Sequence, residues 1–204
     1  MASTNIKLIE SIRPGYRRNE IVERRTDREI QLRDNTKLRL RELRRANREK
    51  LKAFFSRCSP EAIRYRFMSS IKALSDSALD YLADPDGSQH VALIVAQGEG
   101  DDERIVAEGR YVAFKEHPDA ADVAVLVVDD MQRRGIATLL IRALTEIACS
   151  NGVTHFSADV LADNRAMLSL LRKFYRPLST TINYGVIHYE LSIACGENRF
   201  SEAA

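Results

Sequence analysis

The chain has 204 residues, 45% of them hydrophobic and 29% charged, with a formal net charge of +2. This is the profile of an ordinary globular protein, long enough for one well-buried domain and short for two. The small net charge favours no particular class of partner. Apolar runs such as residues 123–128 are too short to span a bilayer, and the first ten residues lack the apolar core of a secretory signal. We therefore expect neither export by a standard signal nor a membrane-embedded protein.

The spacing of cysteine and histidine argues against disulfides and metals. Cys58, Cys149 and Cys195 are odd in number and widely separated, and they contain no Cys-x-x-Cys pattern. We expect neither a disulfide framework nor a zinc site, and a reducing cytoplasm fits best. The four histidines show no ligand spacing such as His-Glu-x-x-His, so we expect no bound metal.

The N-terminal third is predicted to contain an extension followed by the start of the domain. Residues 1–35 are polar and rich in arginine, and we predict an N-terminal extension that is partly ordered at best, although residues 30–33 are able to pair as a strand. The globular domain is predicted to begin near Thr36 and to end at 195, before a C-terminal tail at 196–204. Alternating polar and apolar residues from Lys37 predict its first half-buried strand.

Short helices and strands are predicted next. Residues 47–57 carry apolar side chains at helical spacing, and Ser59-Pro60 is a good helix start because serine caps a helix and proline suits its first turn. Residues 75–82 predict another short helix. Strands at 90–96 and 105–114 follow, joined by a hairpin turn, and a loop leads to a central strand at 123–128 that is entirely apolar and mostly β-branched.

A basic glycine turn separates the central strand from an amphipathic helix. Residues 132–137 read Gln-Arg-Arg-Gly-Ile-Ala, and apolar residues then recur at helical spacing from Ile136 to residue 148. The first N–H groups of a helix are unpaired and lie at the positive end of its dipole, so they bind phosphate. Gly135 allows close approach, while Arg133 and Arg134 add charge. The turn therefore predicts a pyrophosphate site, although it is neither of the two common nucleotide-binding glycine loops.

The last part of the chain predicts a second strand and helix followed by more strands. A strand at 154–160 leads into residues 161–173, where Asp163 or Asn164 is of a type that caps helices well. Residues 182–193 predict a final strand or a pair of strands, with a break at 183–185. Early helices, then a meander of strands, then β-α-β-α-β predict an α/β fold with a mixed central sheet and flanking helices in a single domain.

Three segments carry a resemblance to one family. Residues 132–137 resemble motif A, Gln/Arg-x-x-Gly-x-Gly/Ala, of the GNAT superfamily of acetyl-CoA-dependent N-acetyltransferases. Residues 161–173 resemble motif B of that family, in which an Asn opens the helix after the fifth strand. Residues 51–67 are similar to the first helices of bacterial Pat-type protein lysine acetyltransferases, whose pattern is Phe-Phe, then Ser-Pro-Glu-Ser, then Tyr-x-Arg-Phe. The resemblance covers about residues 36–193 and implies the GNAT fold.

The resemblance implies a binding site for acetyl-CoA as the acyl donor. It places the pyrophosphate on the basic turn, the pantetheine arm beside the Asn164 helix, and backbone groups of the central strand against the pantetheine amides and the oxyanion. Simple helix capping is the alternative role for Asn164. The residues that we expect to bind the cofactor are Val125, Val127, Gln132, Arg133, Arg134, Gly135, Ile136, Ala137, Thr138 and Asn164.

Acetyl transfer to an amine also needs a proton acceptor, because a free lysine has a pKa of about 10.4. At the position of Asp122 the Pat-like pattern carries an acid, usually Glu, to which the base role is assigned. Asp is one methylene shorter, so we expect a water relay. The alternatives are a solvent-facing role for Asp122, or Glu108 or Glu116 as the base. The tyrosine that often protonates the leaving thiolate has no counterpart, since Leu171 stands at its position and Tyr175 is out of place.

The resemblance therefore implies a cytoplasmic N-acetyltransferase that acts on a primary amine, with a protein lysine as the favoured acceptor. A small amine, such as a polyamine, an amino acid or an aminoglycoside, is an alternative acceptor, and an acidic cluster in the groove would favour a polycation. A non-catalytic acyl-CoA sensor is the alternative outside enzymes. The basic residues 37–57 contain nine Lys or Arg and two Glu, and we interpret them as the solvated side of a helix. No aromatic interleaving favours nucleic acid.

Overall fold

The computed structural model describes residues 6–8 and 27–195. These residues form one mixed sheet of nine strands with five α-helices. The strands are β1 (Ile6–Leu8), β2 (Arg28–Leu32), β3 (Lys37–Glu42), β4 (His90–Gln97), β5 (Arg104–Ala113), β6 (Ala120–Val127), β7 (His155–Leu161), β8 (Arg176–Asn183) and β9 (Val186–Ser192). The helices are α1 (Arg48–Arg57), α2 (Pro60–Phe67), α3 (Asp76–Ala83), α4 (Ile136–Ser150) and α5 (Arg165–Phe174).

The sheet has the order β1-β2-β3-β4-β5-β6-β7-β9-β8, and β6 with β7 is its parallel pair. The unit β6-α4-β7 is therefore a crossover connection of the kind that parallel strands require. β6 and β7 pair only over residues 120–122 and 155–157, although β6 continues to Val127 and β7 to Leu161. The two strands thus separate beyond the third residue pair, which opens a cleft in the middle of the sheet.

The two faces of the sheet are covered by different helices. α4 packs on β5 at Gly109, where an added Cβ would lie 3.1 Å from Leu144 Cδ1 and 3.3 Å from Leu140 Cβ. A larger residue at Gly109 would therefore have to displace these α4 side chains by a few tenths of an ångström. α1 packs on β5 and α2 on β6 from the opposite side, which we call the α2 face. Side chains alternate along each strand, so Glu108 and Asp122 point to the α2 face, whereas Val125 points to α4.

The predicted helix starts are confirmed, and the final strands differ from the prediction. Ser59 and Ser75 cap α2 and α3, each accepting a hydrogen bond of 3.2 Å from the backbone N–H three residues on. β8 begins at Arg176, six residues before the predicted strand at 182. All eight of its residues are exposed, so no apolar alternation marked it in the sequence. Within the described ranges, no helix has the length and apolarity needed to cross a membrane.

The sheet begins before Thr36, where the sequence places the start of the domain. β2 pairs antiparallel with β3, and its Ile30 and Leu32 are buried in the core. The possible strand at 30–33 is thus part of the sheet. Its sequence pattern is weak because only Ile30 and Leu32 point inward, among charged neighbours. Apart from β1, which pairs with β2, residues 1–26 of the predicted extension and the predicted tail at 196–204 lie outside the described residues.

The expectation of no disulfide is wrong, because Cys149 and Cys195 are bonded to each other. Their Cα atoms are 5.3 Å apart although 46 residues separate them in sequence. The pairing depends on β9 returning beside the end of α4, which the cysteine spacing does not reveal. Cys58 is a free thiol, and burial raises its pKa to about 12. The cysteines therefore no longer argue for a reducing compartment, and a cytoplasmic location stays a prediction.

Leu140→Ala tests the packing of α4 on the sheet. Leu140 is fully buried, so we expect the free energy of unfolding to fall by about 2–5 kcal/mol. The matched control is Leu178→Ala on β8, where the side chain is 57% exposed and we expect a change below about 0.5 kcal/mol. Urea unfolding followed by circular dichroism measures both, and equal losses at the two positions would contradict this packing.

Candidate functional site

A cavity of about 330 Å³ lies where β6 and β7 separate. Residues 123–127 of β6 form one side and residues 158–160 of β7 the other, and α2 contributes Glu61, Tyr65 and Arg66. The turn before α4 and the start of α5 complete the lining. This volume is within the usual range for a site that binds a small molecule. The cavity therefore joins the predicted anion-binding turn to the open edge of the central strand.

The turn between β6 and α4 has the backbone that its glycine predicts. Gly135 precedes α4 with φ of +85°, in the left-handed region that glycine adopts without strain. The Gln132 Nε2 group donates a hydrogen bond of 3.2 Å to the Val127 carbonyl and so fastens the turn to the end of β6. α4 begins at Ile136 without a side-chain cap, and Gly135 through Thr138 line the cavity. The first N–H groups of α4 thus meet the cavity free of side-chain acceptors.

The two arginines of this turn occupy different places. Arg133 lines the cavity. The Arg134 guanidinium instead hydrogen-bonds to Asp34 in the turn between β2 and β3, and its Nη1 lies 2.8 Å from the Met131 sulfur. The structure therefore brings Arg133 to the predicted site and directs Arg134 away from it. The sequence assigned both arginines to the cofactor because neither the β2–β3 turn nor its Asp34 was known to lie beside them.

The backbone of β6 turns polar groups toward the cavity. The Val128 N–H donates to the Val106 carbonyl on β5, and successive peptide groups of a strand point to opposite edges. Val125 and Val127 therefore direct their N–H and C=O groups to the edge that β7 leaves open. The hydrogen bond from Gln132 to the Val127 carbonyl lies on that same edge. Both valines stand where the sequence placed them, with side chains buried and peptide groups facing the cleft.

Asn164 lies at the cavity and also caps α5. Its Oδ1 accepts a hydrogen bond of 3.1 Å from the Met167 N–H, and the residue belongs to the cavity lining. The capping role is thus confirmed, and it leaves room for a role in the cleft. Leu171, on the same helix, also lines the cavity, whereas Tyr175 is buried with its hydroxyl 2.6 Å from Thr145 Oγ1. Burial raises the pKa of Tyr175, so it makes a poor proton donor and does not face the cleft.

Asp122 occupies the last paired position before the strands separate, beside the cavity lining rather than in it. Its carboxyl is partly desolvated by surrounding protein, which raises its pKa. Arg66 opposes that rise, and the negative charge of Asp159 adds to it. Because Asp122 is an exposed residue, solvent screening keeps the rise small.

The two rival carboxylates lie outside the cavity. Glu108 is fully buried on the α2 face, with Oε1 2.5 Å from the Arg110 Nε and Oε2 3.9 Å from the Arg66 Nε. Glu116 is exposed in the loop between β5 and β6. Glu108 is enclosed in the protein beside Arg110, and Glu116 belongs to the loop before β6, so the geometry favours Asp122 over both.

Asp159 lines the cavity and pairs with His188, and the sequence interpretation placed neither of them at the site. Asp159 lines the cavity from β7, and its Oδ1 lies 2.7 Å from the Nδ1 of His188 on β9. The two are direct cross-strand partners, 29 residues apart in sequence. Alternation along β7 would have pointed Asp159 away from the core. Nothing in the sequence gives the register of β9 against it.

The basic residues 37–57 are largely neutralised by neighbouring acids. Five of their nine Lys and Arg side chains form ion pairs with carboxylates, as in the pairs of Arg41 and Lys50 with Glu103. This agrees with a solvated helix surface. Across the part of the chain that the structure describes, no three His, Cys, Asp or Glu side chains cluster so as to hold a metal ion.

Comparison with known proteins identifies the family. The profile of the Acetyltransferase (GNAT) family matches residues 47–175. This chain belongs to the GNAT acetyltransferase family. It is 34% identical over 137 residues to the acetyltransferase PA5475 of Pseudomonas aeruginosa, a match that covers 67% of this chain and 73% of that protein. The family resemblance and the enzyme class inferred from motifs A and B are thereby confirmed.

Two further similarities connect this GNAT protein with Pat proteins. It is 34% identical over 107 residues to the acetyltransferase Pat of Mycolicibacterium smegmatis, which covers 52% of this chain and 32% of Pat. The match thus spans about a third of the length of Pat. The solved GNAT domain of S. lividans PAT superposes with a TM-score of 0.73 at 25% identity, over 87% of this chain and 99% of that domain. The predicted GNAT fold, a mixed sheet with flanking helices in a single domain, is confirmed.

Proposed function

We propose that this GNAT protein transfers an acetyl group from acetyl-CoA to a primary amine, with a protein lysine as the favoured acceptor. One observation carries the proposal: β6 separates from β7 directly beside the uncapped start of α4. An extended ligand with amide groups and a terminal pyrophosphate matches this arrangement, because the open strand edge pairs with amides and the helix start binds phosphate.

The cofactor-binding residues follow from that placement. The pyrophosphate lies at the N–H groups that begin with Gly135, with the Arg133 guanidinium adding a charge-assisted contact. The pantetheine amides pair with the backbone of Val125 and Val127, and Asn164 flanks them from α5. Gln132 acts indirectly in this proposal, because it holds the turn against the end of β6.

The chemistry begins with removal of a proton from the acceptor amine, which enters from the α2 face. Asp122 receives that proton through a water, since its carboxyl stands beside the cavity rather than in it. The neutral nitrogen then attacks the thioester carbonyl, and an N–H group of β6 stabilises the oxyanion. The thiolate leaves without a tyrosine donor, because a thiol of pKa near 8.5 is a fair leaving group.

Two acceptor classes have support of different kinds. Similarity to Pat proteins over the catalytic domain supports a protein lysine. The carboxylates of Glu61, Asp122 and Asp159, which lie in or beside the cavity, support a small polyamine as the second candidate, because they would attract several positive charges.

A panel of amines tests the function. Thiol release from acetyl-CoA is followed with single-lysine peptides, spermidine, free amino acids and an aminoglycoside, and we expect the lysine peptides to react fastest. Fastest release with spermidine would select the second candidate. A thermal shift with acetyl-CoA but no release with any amine would instead indicate a non-catalytic sensor. Absence of any thermal shift with acetyl-CoA would contradict the binding proposal.

The neighbouring arginines of the turn provide a matched pair for the cofactor site. Arg133→Ala removes a cation that lines the cavity, so we expect the Kd of acetyl-CoA to rise about tenfold, the loss of one charge-assisted hydrogen bond. Arg134→Ala removes a cation held by Asp34, and we expect a change below about threefold. Calorimetric titration measures both constants. A larger effect at Arg134 than at Arg133 would show that the turn binds the pyrophosphate in another orientation.

Asp122→Asn tests the proton-accepting carboxylate. We expect kcat to fall about 100-fold while the Kd of acetyl-CoA stays within about twofold, because the change removes a base without touching the turn. The control is Asp119→Asn, which alters an exposed carboxylate in the preceding loop and should leave kcat unchanged. If Asp122→Asn keeps the wild-type kcat, the carboxylate has no part in the reaction.

A further inference from the structure

His188 and Asp159 form an oriented pair beside the acceptor end of the cleft. Asp122 pairs with Ser157 across the last bonded positions of β6 and β7, and Asp159 follows on the same face two residues later. His188 lies directly opposite Asp159 on β9, so all three side chains are on the α2 face. The proposed acceptor amine approaches the thioester from that face.

We propose that His188, held by Asp159, is the final acceptor of the amine proton, and that Asp122, which receives the proton first through the relay water, passes it on to His188. This inference rests on the proposed acetyl transfer and deepens it. His188 is a catalytic residue because its ring finally receives the amine proton, whereas Asp159 is a positioning residue that acts through His188.

The pairing determines which ring nitrogen is free. The Asp159 carboxylate accepts a hydrogen bond from Nδ1–H at 2.7 Å, so the neutral ring carries its lone pair on Nε2. Among the hydrogen bonds of residues 27–195, none involves His188 Nε2. The His188 side chain is 42% exposed, so water reaches Nε2. A carboxylate that fixes the tautomer of a histidine base is the arrangement used by many hydrolytic and transfer enzymes.

An imidazole also suits the proton transfer better than a carboxylate. An unperturbed His titrates near pH 6.5 and an unperturbed Asp near 3.9, and a base whose pKa lies close to the working pH is the more effective. Burial raises the pKa of Asp122 only slightly because that residue is exposed.

The charged groups near His188 are mostly carboxylates. The residues facing it on β8, Ser179 and Thr181, do not titrate. The charged groups near it are the carboxylates of Asp159 on β7, Asp122 on β6 and Glu190 on its own strand, with the Arg66 guanidinium of α2 acting on Asp122 from the other side. The proton therefore arrives at a ring with three negative groups near it.

The proton balance of the reaction is complete with these groups. The ammonium gives one proton through the relay water and Asp122 to His188 Nε2, and the neutral nitrogen forms the C–N bond to the thioester carbon. The C–S bond breaks, and sulfur leaves with the bonding pair. The sulfur then takes the second proton that the new amide nitrogen sheds. The imidazolium returns its proton to solvent, so one proton is released for each acetyl group transferred.

The test compares pH profiles of kcat for wild type, His188→Gln, Asp159→Asn and the control His117→Gln. Acetyl-CoA and the amine that reacts fastest in the panel are the substrates, between about pH 5.5 and 9. His117 lies in the exposed loop before β6, so its variant should match wild type. We expect His188→Gln to lower kcat about 100-fold with KM within about twofold, and to abolish the acidic limb of the pH profile.

Asp159→Asn should move that limb to lower pH, because loss of the carboxylate destabilises the imidazolium. An NMR titration of the His188 ring gives the same comparison without turnover, and the pKa should be lower in Asp159→Asn than in wild type. Unchanged acetyl-CoA binding shows that the variants are folded. A His188→Gln profile equal to wild type overturns this inference alone. Absence of turnover by wild type with every amine instead contradicts the proposed function.

Discussion

The hydrogen bonding between β6 and β7 stops after three residue pairs, and the functional part of the molecule depends on that interruption. Strand edges carry backbone donors and acceptors that need partners, and an open edge in the middle of a sheet is costly unless something pairs with it. Here the edge borders a cavity, and the turn held by Gln132 leads straight into the uncapped start of α4. One topological feature thus provides both a strand edge for amides and a helix start for phosphate.

The α2 face carries two kinds of carboxylate. Some are buried and paired within the fold, and others are accessible to an acceptor in the cleft. Glu108 and Arg110 are buried and bonded to each other, so their charges are paired inside the protein, although Glu108 Oε2 and Arg110 Nη2 have no hydrogen-bond partner among the described residues. Asp122 and Asp159 stand at the cleft with access to water. A cationic acceptor entering from the α2 face therefore meets Asp122 and Asp159 first. The ion pairs that neutralise the basic residues 37–57 leave that stretch with little net attraction for an acidic partner.

The sequence predicted those parts of the structure whose signals are local. The turn around Gly135, the caps at Ser59 and Asn164 and the amphipathic α4 follow from neighbouring residues, and the structure has all of them. Features that depend on register escaped prediction. The pair of Asp159 with His188 and the bond of Cys149 with Cys195 exist because β9 returns beside β7, and no short pattern encodes that return. Arg134 was misplaced for the same reason, since its partner Asp34 lies 100 residues away.

Amide hydrogen exchange on addition of CoA, which binds without turnover, tests most directly whether the open edge of β6 and the start of α4 bind the cofactor. CoA bound along the open edge of β6 should slow exchange at the amides of Val125 and Val127 and at the first N–H groups of α4. The amides of Ala124 and Leu126 point to β5 and are already bonded there, so they should change least and serve as the internal control. Protection confined to other strands, with Val125, Val127 and the start of α4 unaffected, would show that CoA does not bind at this edge.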